Sequence, residues 1–283
     1  MTGRTSIPVL VIALGGAWGC QSTPRDSAER PVVRGTAPAG QRADLPPAVP
    51  AASVPALGPL GARTLAYLVP RNLEYLSPKG RAMVVRRGPP PDCLCAGRTW
   101  VVKTYEVDGP IEAAAAAVDA GAVKPVRERT FIVLPGGGGG IGLAEQIDRE
   151  EGVEVVFEPP LLVMPDGLPL SSVGNAQMAQ ELTMTVHPLG NRQKVKASGR
   201  ARNVVRYLAD EALTTPAGTF TARRLQSVLT ADLPPARIAN TTQQWFVDNV
   251  GLVRERDQER TTVFGVPTRN NTSDWTLQAY RAQ

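Results

Sequence analysis

Residues Met178–Val186 alternate. The even positions are Met178, Gln180, Leu182, Met184 and Val186, and the odd ones include Glu181, Thr183 and Thr185. Beyond Pro188-Leu189-Gly190-Asn191 the pattern inverts. Arg192, Lys194, Lys196, Arg200 and Arg202 are even, while Val195, Ala197 and Ala201 are odd. A period of two marks a strand with one face buried, and a turn between two such runs predicts a hairpin. A two-residue turn at Leu189-Gly190 would pair Met184 with Val195 and Leu182 with Ala197. One face would then be apolar and the other a cationic stripe. That stripe can be read as a solvated face that blunts edge pairing, or as a contact for anionic head groups, polysaccharide or protein.

The same composition recurs along the chain. Thr99–Val107, Arg129–Leu134, Val153–Phe157, Thr219–Leu229, Thr242–Val247, Leu252–Arg256, Thr261–Val266 and Trp275–Tyr280 are short runs rich in β-branched and aromatic residues. Gly, Pro, Asn and Asp separate them. The expectation is a mainly β domain, a curved antiparallel sheet or incomplete barrel. Helix is scarce. Glu112–Ala120 is readable as a packed helix or as a low-complexity insertion, and Leu143–Glu150 is the other helical candidate.

The first sixty residues are different. Arg4 precedes an apolar run, Ile7–Ala17, of 11 residues, well short of the roughly 20 needed to span a bilayer. It has the length of a signal-peptide core. Ala17-Trp18-Gly19-Cys20 then resembles the lipobox of bacterial lipoproteins, in which the cysteine thiol takes a diacylglycerol and the signal is cut before it. Gly19 and Cys20 match that pattern, whereas Ala17 and Trp18 depart from it. The resemblance implies a signal in residues 1–19 and a lipid on Cys20 that holds the chain on a membrane. Gln21, rather than Asp, implies the outer membrane facing the periplasm if the cell is Gram-negative. Residues 21–60 hold 8 Pro, 8 Ala and no aromatic residue. They bury too little apolar surface to offset ordering, so residues 20–60 read as a lipidated cysteine and a disordered, extended tether. Residues 61–283 are left for the β-rich envelope domain.

A second resemblance rests on Val153–Pro165, read as a strand running into a Pro-bounded loop, and on Thr215-Pro216-Ala217-Gly218-Thr219-Phe220. Gln244-Trp245-Phe246-Val247 and Asn249-Val250-Gly251-Leu252-Val253 complete it. This order resembles a group of bacterial envelope lipoproteins related in fold to the carriers LolA and LolB. It implies an antiparallel sheet with an apolar concave side, and it carries over no catalytic residue. The local chemistry agrees: Pro216 pre-sets a turn and Gly218 permits positive φ.

Candidate chemistry is sparse. The glycine run after Arg129–Leu134, with Glu158 beyond a second strand, imitates a dinucleotide-binding βαβ unit. However, any glycine pattern matches a run of glycines, and Pro159-Pro160 follows at once. A flexible loop is the simpler reading. His187 is the only histidine, and no nucleophile elbow or zinc helix accompanies it. Cys93 and Cys95 have few further metal ligands within the chain, and a bridge between residues two apart is strained. No catalytic residue, metal ligand or cofactor site is expected. The net charge of +5 is mild and gives no reason to expect nucleic acid. The expected function is that of a non-enzymatic, membrane-anchored protein. It would bind an apolar ligand or a protein partner through wall residues such as Leu182, Met184, Trp245 and Phe246. The alternative is a structural or assembly protein of the envelope that uses a sheet edge or the cationic face.

Overall fold

The structure, a computed structural model, describes residues 71–77, 80–87, 99–134, 140–165, 177–248 and 250–282. Cys20, the signal segment, the tether, Cys93, Cys95 and most of the glycine run lie outside them.

Twelve strands form one closed antiparallel barrel in which each pairs with its neighbours in sequence. They are β1 (Arg71–Leu76), β2 (Ala82–Arg87), β3 (Thr99–Val107), β4 (Arg127–Val133), β5 (Ile141–Asp148) and β6 (Val153–Met164). After them come β7 (Gln177–Pro188), β8 (Ala197–Thr215), β9 (Gly218–Leu233), β10 (Ala236–Val247), β11 (Gly251–Val263) and β12 (Val266–Ala282). The expected sheet is therefore a complete barrel. Its seam is β1 on β12, with Leu73 opposite Tyr280 and Tyr75 opposite Leu277. Tyr75 also donates its hydroxyl to the Leu252 carbonyl at 2.7 Å, which ties the seam to β11.

Leu143–Glu150 is strand rather than helix: it forms most of β5, which pairs on both sides. Because β4, β5 and β6 are consecutive antiparallel neighbours, the βαβ reading of the glycine run fails on topology. Thr261–Val266 is not one strand: Thr261–Val263 ends β11, Val266 opens β12, and Phe264-Gly265 turns between them. Phe264 and Gly265 both have positive φ, 49° and 80°, as a two-residue type I′ hairpin requires. The expected turn at Thr215–Gly218 is present, with Thr215 opposite Gly218 and Gly218 at φ 141°.

The alanine run forms α1 (Ile111–Asp119), which lies outside the barrel. Ala114, Ala115 and Val118 pack on Ala82 and Val84 of β2, with Tyr105 and Val107 of β3 beside them. Alanine is the best helix former and lets the helix sit close to the sheet. Its end is a Schellman motif: Gly121 (φ 72°) donates to Val118 and Ala122 donates to Ala117. Arg86 of β2 clasps Asp119 at 2.8 Å.

The β7–β8 hairpin keeps the expected faces but not the expected register. Val186 pairs with Ala197 and Leu182 with Ala201, so the partner of each β7 residue lies four positions further on. Leu182, Met184, Val186, Ala197 and Ala201 are buried together, whereas Val195 is 53 % exposed. The physical reason is a longer loop. The Asn191 amide donates to Pro188, the Lys196 amide to Val186, and His187 Nδ1 to the Lys194 carbonyl at 3.0 Å. Arg192 reaches Glu145 at 2.6 Å and also Glu154, which draws the loop onto β5 and β6. A shift of an even number of residues leaves sidedness intact.

Strand β6 does not stop at its prolines. Its ladder with β7 ends at Glu158 opposite Thr183, yet it continues along β5 to place Met164 opposite Ile141. Inward side chains replace the lost ladder. Gln180 accepts from the Leu162 amide at 2.8 Å and donates to the Pro160 carbonyl at 2.9 Å. Asn203 of β8 donates to the Leu162 carbonyl at 2.7 Å. The end of β6 thus crosses the inner side of β7 and β8, with every one of these backbone groups satisfied.

The two readings of the hairpin differ in what they expect at Val195. Val195→Lys should leave the unfolding midpoint unchanged, while Met184→Ala should cost about 2–5 kcal/mol. Thermal denaturation of both variants checks this, and a large loss for Val195→Lys would restore the shorter turn.

Candidate functional site

The sequence-nominated wall residues do not come together as a ligand site. Leu182, Met184 and Phe246 are buried in the core. Trp245 is on the other side of β10 from Gln244. The guanidiniums of Arg224 and Arg254 lie 5.0 Å and 5.3 Å from its ring centre, and its indole N–H donates to Glu211. Arg254 is itself held by a two-pronged contact with Asp274 at 2.9 Å and 2.7 Å. Trp245 is therefore covered by cations, in an arrangement that favours the π face of indole.

The barrel interior carries a charged stripe that hydrophobic patterning did not reveal. On β11, Glu255, Asp257 and Glu259 point inward and are nearly inaccessible, while Arg254, Arg256, Gln258 and Arg260 alternate outward. Gln244 donates to Glu255 at 2.7 Å and Thr242 to Asp257 at 2.6 Å. Thr261 donates to Glu259 at 3.3 Å. The opposing wall supplies the cations. Arg127 of β4 pairs with Asp148 at 3.3 Å, each side chain 2 % exposed, and Arg129 donates to Gln146 at 3.2 Å. Glu106 of β3 meets Arg81 at 3.0 Å.

Burial dominates the titration of this stripe. It pushes Asp257 up to about 8, with Glu255 adding repulsion. It pushes Glu106 up to about 7 against the attraction of Arg127 and Arg81, and Glu259 up to about 7 against that of Arg269. Burial, then the neighbouring Arg129, lowers Arg127. A cavity of about 100 Å³ lies between the walls, lined by Arg129, Gln146, Thr242, Asp257, Phe131 and Leu229 among others. Within it, Gln146 Nε2 and Asp257 Oδ2 are buried without a hydrogen-bond partner. A second cavity, near Tyr75 and Arg127, is about 40 Å³. Such polar voids suit a few water molecules, whereas small-ligand sites run to about 300–1,000 Å³. Among the described residues no His, Cys, Asp and Glu grouping could hold a metal ion.

The outer wall has the larger concavity. Arg200 and Arg202 point outward as expected, but Arg192, Lys194 and Lys196 are loop residues and do not extend their row. The row is extended by other strands. Arg202 stands beside Thr230 of β9, then Ala239 of β10, then Arg260 of β11. Arg200 stands beside Asp232, then Arg237, then Thr262. Together with Glu181 they line a groove of about 380 Å³. At Gly199 the wall is tight: a Cβ there would lie 1.8 Å from the Asp232 carbonyl oxygen. With Arg206, Arg254 and Arg256 also outward, the described residues of β8–β11 form no apolar band on this wall of the kind a lipid-embedded barrel presents. No helix among the described residues is long and apolar enough to cross a membrane.

The chain is thus a mainly β protein built as a closed antiparallel barrel, with a polar outer face on β8–β11 and a charged stripe through an otherwise apolar interior. A family described as DUF3108-like matches residues 143–262, which run from β5 to β11. No curated protein matches the sequence. Among solved structures, the chain is similar to a protein from Bacteroides fragilis described as exported and of YmcC-like fold. The two share 13% identity over 79% of this chain and 100% of that one, with a TM-score of 0.43. It is also similar to a protein from Parabacteroides distasonis described as a lipoprotein, at 14% identity, 77% and 98% coverage and a TM-score of 0.40. The hypothetical lipoprotein YmcC from Escherichia coli follows at 9% identity, 76% and 88% coverage and a TM-score of 0.32.

The lumenal carboxyls set a pH dependence. Their raised values mean that the folded chain keeps protons that the unfolded chain gives up from about pH 4 upward. Their contribution to stability is therefore full below about pH 4. It falls as pH rises and levels off above about pH 8, where Asp257 has ionised. Asp257→Asn should raise the melting midpoint at pH 8 by a few degrees or more, at least roughly 1 kcal/mol, and change it little at about pH 4, where both states keep the proton. A variant that melts lower at both pH values would show instead that the carboxylate is paired in its charged form.

Proposed function

We propose that this chain is a non-enzymatic lipoprotein of the bacterial cell envelope, held on a membrane by a lipid on Cys20. In this reading it works as an assembly or interaction module through the outer wall of its barrel. The observation that carries the choice is the filled interior. A carrier of an apolar ligand, as the resemblance to LolA and LolB would imply, needs a large apolar cavity. Among the described residues, the interior voids beside Asp257 and beside Tyr75 are about 100 and 40 Å³, and the apolar side chains around them pack into one cluster. The outer wall instead carries a groove of about 380 Å³ lined by guanidiniums.

The anchor rests on the sequence around Cys20, and the Pro- and Ala-rich stretch behind it suits a tether. Several acyl chains make a stable membrane attachment where one does not. With Gln21 after the cysteine, the outer membrane facing the periplasm is the address in a Gram-negative cell. Against an enzyme stands the interior chemistry. The buried carboxyls face arginines, and the one histidine holds a loop backbone at the surface.

Two measurements test this. Fatty-acid labelling should mark the wild-type chain and leave Cys20→Ser unmarked; equal labelling of the two refutes lipidation at that residue. Solvent extraction of the purified barrel should release no stoichiometric lipid, and a bound acyl chain recovered from it would return the carrier reading to first place.

A further inference from the structure

We infer that the groove on the outer wall of β7–β11 is a binding site for a phosphate-bearing ligand, a role that rests on reading this wall as the interaction surface. Four arginines and no lysine line it: Arg200, Arg202, Arg237 and Arg260. The guanidinium fork matches the geometry of phosphate oxygens and binds them through paired N–H donors. Two of the four are lightly engaged. Arg202 meets Glu181 and Arg237 meets Asp232, each through Nε at 3.4 Å and with both partners largely exposed. Exposed contacts of this kind contribute little and are readily exchanged. Arg200 and Arg260 have no ion-pair partner among the described residues, and both are exposed.

The floor between the arginines is small and hydroxylated. Thr230 and Ala239 separate Arg202 from Arg260, and Thr262 stands beside Arg237. Short side chains leave the depth that a phosphate group needs, and the Thr262 hydroxyl adds a donor that it can use, while that of Thr230 donates to the Arg202 carbonyl at 3.5 Å. The alternative anionic partner, an extended acidic peptide, fits less well. A peptide docks on a sheet most strongly through a free edge, but each strand from β8 to β11 is laddered on both sides beneath the groove. What remains accessible is side-chain charge in a compact hollow, which suits a head group better than a chain. The phosphate can come from an anionic lipid or from a soluble phosphate compound. The chemistry at the groove is the same for both.

The test uses the full chain carrying Cys20→Ser, so that any membrane contact comes from the barrel. Cosedimentation with vesicles of phosphatidylglycerol in phosphatidylcholine, against phosphatidylcholine alone, probes the lipid source. Calorimetric titration with inorganic pyrophosphate probes the soluble one. At least one probe should bind, more weakly as salt is raised. Arg200→Gln/Arg260→Gln should weaken that binding by about tenfold or more. The charge-matched pair Arg206→Gln/Arg256→Gln, outside the groove, should not. Vesicle binding without pyrophosphate binding assigns a lipid head group, and the reverse assigns a soluble ligand. Binding of neither probe overturns the inference, as does equal loss in both double variants, which would reduce it to general surface charge. Because Cys20 is absent throughout, a failed anchor leaves this result standing. A failed groove likewise leaves the labelling result standing.

Discussion

A closed sheet has to fill its own inside, and the rest of this molecule follows from that requirement. Barrel width grows with strand number, and about eight strands already leave an interior that side chains just fill. Twelve strands leave more. Trp100 and Phe131 stack with their centres 5.7 Å apart and take up part of the space together with Tyr75, Phe157 and Trp275. The end of β6 takes up another part by crossing inside β7 and β8. The remainder is filled by long polar chains. Arg127 and Arg223 are the bulkiest fully buried side chains, and Arg223 reaches Asp248 at 3.1 Å.

Filling with charge has a different character from filling with hydrocarbon. Burying two opposite charges costs about as much desolvation as their attraction returns, and an apolar replacement of the same shape is often as stable. The interior of this barrel therefore does not owe its cohesion to the stripe of Glu255, Asp257, Glu259, Arg127 and Arg129. Cohesion comes from the apolar cluster and from the uninterrupted ladder. What the stripe adds is sensitivity. Three carboxyls sit where a proton is favoured over a charge, so the interior holds fewer charges in mild acid than in mild base.

The legible part of the fold was the part where burial and period coincide. In β3 the alternation is regular and its bounds, Thr99–Val107, were readable to the residue. In β7 the apolar series Leu182, Met184, Val186 fixed the buried face even though the register did not follow, because period-two sidedness survives an even shift. The illegible parts share one cause: the local chain looks like something else. The acids of Arg254–Arg260 are a buried face without a hydrophobic residue, and only their alternation with Arg254, Arg256, Gln258 and Arg260 marked them as a two-sided strand. Pro159 and Pro160 read as a stop because the usual ladder excludes proline, while Gln180 and Asn203, far away in sequence, supply the substitute bonds. The outer groove was half visible in Arg200 and Arg202. Its other half, Arg237 and Arg260, belongs to strands brought alongside only by closure.

Closure at the seam also has a consequence in time. Arg71 faces Ala282, so the first strand finds its second neighbour only after almost the whole domain has been made. Until then two open edges remain, each with unpaired amides and carbonyls that another chain could meet. Contacts so distant in sequence form slowly. A chain held at one end on a surface, as Cys20 would hold it, would spend that interval crowded beside copies of itself, and the arginines along the outer strands would then repel those copies while the last strand is awaited.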